Sequence, residues 1–205
     1  MDITTEYALA FALTTTAGLR GFLALLVASL AAHAGWIHLN ASYAWLGSDG
    51  ASIVLAIFAV LEILADKIPV IDNALHLVYF VVRPAAAAIL VGGTVHAPNQ
   101  SELIGLMVIG ALNAFVVHGA SAAARAASTA TTFGTANSML SVGEDVVALG
   151  GGALAVAMPL LAGAVALAFL VALLVVVRLM SRRSRCVFKA EDEQQNCPKG
   201  ERAPK

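Results

Sequence analysis

From Leu160 to Val177 the chain carries no charged side chain for 18 consecutive positions, almost all of them Ala, Val or Leu. As a helix this run measures about 27 Å at 1.5 Å per residue, close to the roughly 30 Å of a bilayer's hydrocarbon core. A membrane-crossing strand needs only about 9–11 residues, and inside lipid every backbone polar group has to be satisfied within the protein. The run is therefore expected to be a transmembrane helix. Apolar stretches recur along the chain at about 7–34, 51–68, 75–95, 102–124, 140–158 and 160–180. The composition agrees: 60% of the 205 residues are hydrophobic and 12% charged, against about 45–50% and about 25% in soluble domains. A soluble globular enzyme and a disordered chain are both excluded. The expected fold is all-α, a polytopic helical membrane protein of about six transmembrane helices.

Charge is distributed unevenly. Of 12 Lys and Arg, only Arg20, Lys67, Arg83 and Arg125 precede Arg178. Arg182, Arg183, Arg185, Lys189, Lys199, Arg202 and Lys205 follow it, so residues 1–181 read as a transmembrane bundle and 182–205 as a basic and polar tail without regular structure. Basic residues flanking spans favour the cytoplasmic side, which places the tail there, in an inner membrane. Six spans put the N-terminus on the same side. Lys67 and Arg125 then fall at cytoplasmic connections, while the outer connections 35–50 and 96–101 contain no Lys or Arg. Trp36, Tyr43 and Trp45 in the first outer connection suit a membrane interface.

The tail has anionic lipid headgroups as natural partners. Glu191-Asp192-Glu193 interrupts it and no binding motif accompanies it, so nucleic acid is not an expected partner. Cys186 and Cys197 both lie in the tail, where a reducing compartment argues against a disulfide. The five histidines have no metal-ligand spacing, and Gly150-Gly151-Gly152 lacks the context of a phosphate loop. Neither a metal nor a cofactor is expected.

The 42 Ala and 17 Gly let helix backbones approach closely, which is how helices associate where lipid supplies no hydrophobic force. The two halves, about 7–96 and 102–180, also resemble each other. Each has an Ala-x-x-Arg segment, Ala17-Gly18-Leu19-Arg20 and Ala122-Ala123-Ala124-Arg125, followed by a Glu in an apolar helix, Glu62 and Glu144. Three spans per half would give opposite orientations, an inverted repeat of the kind that builds small transporters around midplane sites.

An ionisable side chain at membrane depth costs about 2.5–3.5 kcal/mol on insertion scales and persists where it pairs, meets water or serves function. The candidate polar centre comprises Arg20, Glu62, Asp66, Lys67, Asp72, Arg83, Arg125, Glu144 and Asp145. Glu62 and Asp66 are one helical turn apart. Arg83 precedes Pro84, which frees a carbonyl one turn back. Glu144 and Asp145 open a helix, where acids are favoured. Such a set either forms buried ion pairs, for example Arg20 with Glu62 and Arg83 with Asp66, or lines a polar cavity.

Leu61-Glu62-Ile63-Leu64-Ala65-Asp66-Lys67-Ile68-Pro69-Val70-Ile71-Asp72 resembles the signature of a bacterial integral-membrane family catalogued as domain of unknown function 4126. Ala17-Gly18-Leu19-Arg20-Gly21-Phe22, Arg83-Pro84-Ala85-Ala86 and Glu144-Asp145-Val146-Val147-Ala148-Leu149-Gly150 are similar to its other motifs. The resemblance covers about residues 7–178 and implies a multi-span inner-membrane protein, without assigning an activity. The leading functional expectation is a small transporter or channel-like permease for an ion or small anionic solute. A lipid-handling protein or membrane enzyme is the alternative, although no nucleophile–base pair or metal cluster is legible. The third reading is a structural partner in a membrane complex, and a homo-oligomer is compatible with each.

Overall fold

The computed structural model describes residues 2–65, 69–132 and 137–195, and among them the regular structure is entirely helical. Seven α-helices follow one another: α1 (Ile3–Leu19), α2 (Gly21–His33), α3 (Asp49–Ala65), α4 (Pro69–Thr94), α5 (Gln100–Thr132), α6 (Asn137–Ala157) and α7 (Pro159–Gln195). A short 3-10 helix, Ala41–Gly47, precedes α3.

The first apolar stretch is two helices. Arg20 has extended backbone angles, φ −144° and ψ 99°, and serves as both the C-cap of α1 and the N-cap of α2. Other boundaries also move from expectation. The Ala-, Thr- and Ser-rich segment after Arg125, expected as a loop, remains helical to Thr132 because alanines without a Gly or Pro give the helix no reason to stop. α7 likewise runs from Pro159 past 180 to Gln195. Pro159 sits at the first position of its helix, where a missing N–H costs nothing, and Pro84 lies inside α4 without ending it.

α1 is the hub. It packs against α4, α5, α6 and α7, and nearly every residue from Leu9 to Leu19 is buried. An all-round buried helix cannot expose its polar groups, and the hydroxyls of Thr14, Thr15 and Thr16 donate back to the carbonyls of Phe11, Phe11 and Ala12 at 2.9 Å. Close approach to α5 depends on Gly18, where a Cβ would lie 2.6 Å from the Val117 Cβ and 2.8 Å from the Ala114 carbonyl oxygen. The connection after α2 is docked by Asn40. Its side-chain amide donates to the carbonyls of Gly92 (2.6 Å) and Val95 (2.7 Å), groups that the end of α4 leaves open.

The usual arrangement of a soluble protein is inverted. Ile53, Ile57 and Val60 on α3, Val146 and Leu149 on α6, and Val171 and Val175 on α7 are about half exposed or more, while Arg20, Glu62 and Arg83 are sealed inside. Water would not tolerate so continuous an apolar exterior. Among the described residues three helices are long and apolar enough to cross a membrane, within Gln100–Ala130, Met139–Ala157 and Pro159–Val176. The 3-10 helix and α3 qualify together, bent by 64°, which brings the number to four. Gly21–His33 and Val78–Thr94 are apolar but shorter. Length and composition of the helices thus support three or four spans where six are expected. The break at Arg20 is one reason, since it divides a 28-residue apolar stretch into two short pieces.

Candidate functional site

Breaking a helix leaves carbonyls open at the end of one piece and N–H groups open at the start of the next. Inside a bundle those groups need partners, and here side chains from other helices provide them. Glu62 on α3 accepts from the backbone N–H of Gly21 through Oε1 and of Phe22 through Oε2, both at 3.1 Å. A carboxylate so placed also sits at the positive end of the α2 dipole. Arg83 on α4 serves the other side of the break, donating through Nη1 to the Gly18 carbonyl at 3.2 Å. Its Nε lies 3.7 Å from Glu62 Oε1, so the two capping groups neutralise each other. Arg20, Glu62 and Arg83 are 0%, 1% and 2% exposed.

Arg83 has further neighbours. Its Nη1 is 2.6 Å from Nδ1 of His118 on α5. A guanidinium only donates, so Nδ1 is the acceptor and the neutral ring carries its proton on Nε2. The Tyr79 ring lies beneath the guanidinium, 4.7 Å from Cζ to centroid, and Phe80 meets the His118 ring edge-on at 4.6 Å.

The Arg20 side chain leaves the break and reaches α6. Its Nη2 donates to Ser141 Oγ at 3.1 Å, and Nε is 2.6 Å from Asp145 Oδ1. The next acid on the same helix, Glu144, pairs with Arg125 of α5. Ser121, one turn before Arg125, donates to the other Glu144 oxygen. α6 therefore joins two charged centres through consecutive residues, Asp145 toward the break and Glu144 toward Arg125. The second centre is less enclosed, with Arg125 and Glu144 side chains 12% and 13% exposed.

A cavity of about 450 Å³ lies beside this second centre, between α5, α6 and α7 with Leu19 at the end of α1. Ser121 and Glu144 form its polar part, and its walls include Leu140, Val147, Phe169 and Leu173. A larger cavity, about 620 Å³, is lined by apolar residues such as Val27, Leu30, Trp36 and Val156. Volume favours the larger, but no charged or hydroxyl-bearing side chain is among its described lining residues, so the smaller one is the better candidate.

The structure thus brings together Arg20, Glu62, Arg83, Arg125, Glu144 and Asp145: Arg20 meets Asp145 and Arg83 meets Glu62, while the expected pair of Arg83 with Asp66 involves a residue outside those described. Asp66 and Lys67 lie outside the described residues, as does the side chain of Asp72 on the first turn of α4. Sequence reasoning missed Ser141, Ser121 and His118. Two of these carried a signal, since Ser121 precedes Arg125 and Ser141 precedes Asp145 by four residues, one helical turn. Among the described residues no group of three His, Cys, Asp or Glu side chains is placed to hold a metal ion.

An all-helical bundle with an apolar exterior, three or four candidate spans and charge sealed inside defines the class: a helical membrane protein. The chain belongs to the family described as Domain of unknown function (DUF4126), whose model matches residues 7–179. No curated protein and no solved structure matches it.

Proposed function

We propose that the chain is a small permease of an inner membrane, built from two oppositely oriented three-helix halves with both termini cytoplasmic. Its polar path for an ion or small anionic solute follows the charges that α6 connects. The observation that carries this reading is the helix break at Arg20. Interrupted helices deep in membrane proteins are tolerated where they are buried in protein or line a water-filled cavity, and they recur at the binding centres of transporters. Here the freed N–H pair of α2 and the freed carbonyl of α1 face the Glu62 carboxylate and the Arg83 guanidinium, charges of the kind such a site accepts. The protein's own side chains hold these positions at rest. A passing anion would compete with Glu62 for the α2 terminus, or travel by the less enclosed Arg125.

The test is flux in proteoliposomes under separate chloride, acetate, phosphate and potassium gradients, followed with electrodes or internal dyes. Glu62→Gln is expected to abolish flux while the variant stays monodisperse and helical. Absence of protein-dependent flux of any of these ions, or loss of folded protein parallel to the loss of flux, would leave the charges as structural ion pairs and overturn the permease reading.

A further inference from the structure

We propose that the cavity between α5, α6 and α7 binds an amphiphilic cation, an apolar body carrying an ammonium or phosphonium centre. Its volume, about 450 Å³, falls in the range of small-molecule sites. Among the described lining residues Glu144 is the one charged side chain; Arg125, its partner, does not line the cavity. The one charge on the described cavity wall is therefore a carboxylate, held at its far side by Arg125, and apolar walls strengthen its pull on a cation. Phe169 adds an aromatic ring, whose face attracts a cation. The Ser121 hydroxyl, already donating to Glu144, completes a polar end that a plain hydrocarbon chain would leave facing apolar atoms. An anion of the same shape would meet the Glu144 carboxylate and no cation among the described lining residues.

The cavity is also reachable. Met139 at its rim is 78% exposed, and Glu144 stands about 8 Å into the span that begins at Met139, counting 1.5 Å per residue. A molecule partitioned in the bilayer with its charge near the headgroups would enter sideways at that depth. The inference concerns binding alone and holds whether or not the chain moves solute.

Tetraphenylphosphonium and tetraphenylborate, nearly the same in shape and opposite in charge, are the probes. Binding of each to the full chain in nanodiscs of zwitterionic lipid is measured by equilibrium dialysis, with empty nanodiscs subtracted. The phosphonium is expected to saturate near one per chain and the borate to show no saturable component. Glu144→Gln should weaken the phosphonium by about tenfold or more, since an interaction with a charged partner is lost. Gly143→Phe points a ring from a lining position with open space around it and leaves the charged groups in place. It should abolish the saturable component while helicity and monodispersity are retained. Borate binding as tight as phosphonium binding, or phosphonium binding indifferent to Gly143→Phe, overturns the proposal. If Glu144→Gln fails to fold, the probe pair and Gly143→Phe decide it.

Discussion

Arg20 and Arg125 close two similar Ala-x-x-Arg segments, yet the backbone treats them differently. At Arg20 the helix stops; Glu62 from α3 and Arg83 from α4 hold the backbone groups that the break releases, and Ser141 and Asp145 from α6 hold the Arg20 side chain. At Arg125 the helix continues for another seven residues, and the arginine pairs with Glu144 across to α6. The first centre is sealed and the second borders a cavity. Gly18 and Gly21 flank the Leu19-Arg20 step, while alanines surround Arg125, and glycine lowers helix stability by about 1 kcal/mol relative to alanine. Two glycines within four residues let tertiary partners outbid the local helix at one site and not at the other. A charge that caps backbone holds the architecture as well as its partner charge, whereas a charge paired with another side chain holds less of the fold.

That contrast can be broken by substitution. The largest loss is expected from Arg83→Met, which strips the Gly18 carbonyl of its donor and leaves Glu62 buried without its counter-ion. The cost is about 3–5 kcal/mol by analogy with other broken buried pairs, read as a shift in SDS-titrated unfolding from mild detergent. Gly18→Val comes next, at about 1–3 kcal/mol, because its side chain meets the Ala114 carbonyl, which is backbone and cannot swing away. Arg125→Gln should cost less, about 1–2 kcal/mol in the same titration, since its pair with Glu144 is less enclosed than the centre at the break. An Arg125→Gln loss equal to that of Arg83→Met would erase the distinction between the two centres.

The smallest effect is expected at Asn113. Its amide donates to the hydroxyls of Thr14 and Thr15 at 2.9 Å, but its buried Oδ1 has no partner among the described residues. Both threonines donate to Phe11 without its help. Asn113→Leu should therefore leave stability within about 1 kcal/mol of the parent. A loss above about 2 kcal/mol would show that α1 needs this polar bridge as well as the glycine contact at Gly18.

Much of the candidate site is legible without a fold. Arg20, Glu62, Arg83 and Glu144 stand out because each interrupts apolar sequence at an energetic cost that lipid imposes on any chain. Their partners are not legible in the same way. Arg20 lies 125 positions from Asp145, and no periodicity links residues on helices whose mutual rotation is unknown. Ser121 and Ser141 are ordinary residues until a charge is found one turn away. His118 looks like any scattered histidine until α4 and α5 pack and bring Arg83 to its Nδ1. The capping role of Glu62 is hidden further still, because its ligands are backbone N–H groups, which every residue but proline possesses.

The amino-acid sequence by itself determined the solvent and the class of structure. Apolar runs of membrane length dictate helices, since in lipid the backbone has to bond to itself, and embedded charges declare that something inside the bundle holds them. Where the first helix breaks, which carboxylate each arginine finds, and which charges stay near a cavity were decided only by tertiary packing. Hydrogen bonding within one helix is a local property of neighbouring residues, whereas the partner of a buried charge is set by how separate helices are placed against one another.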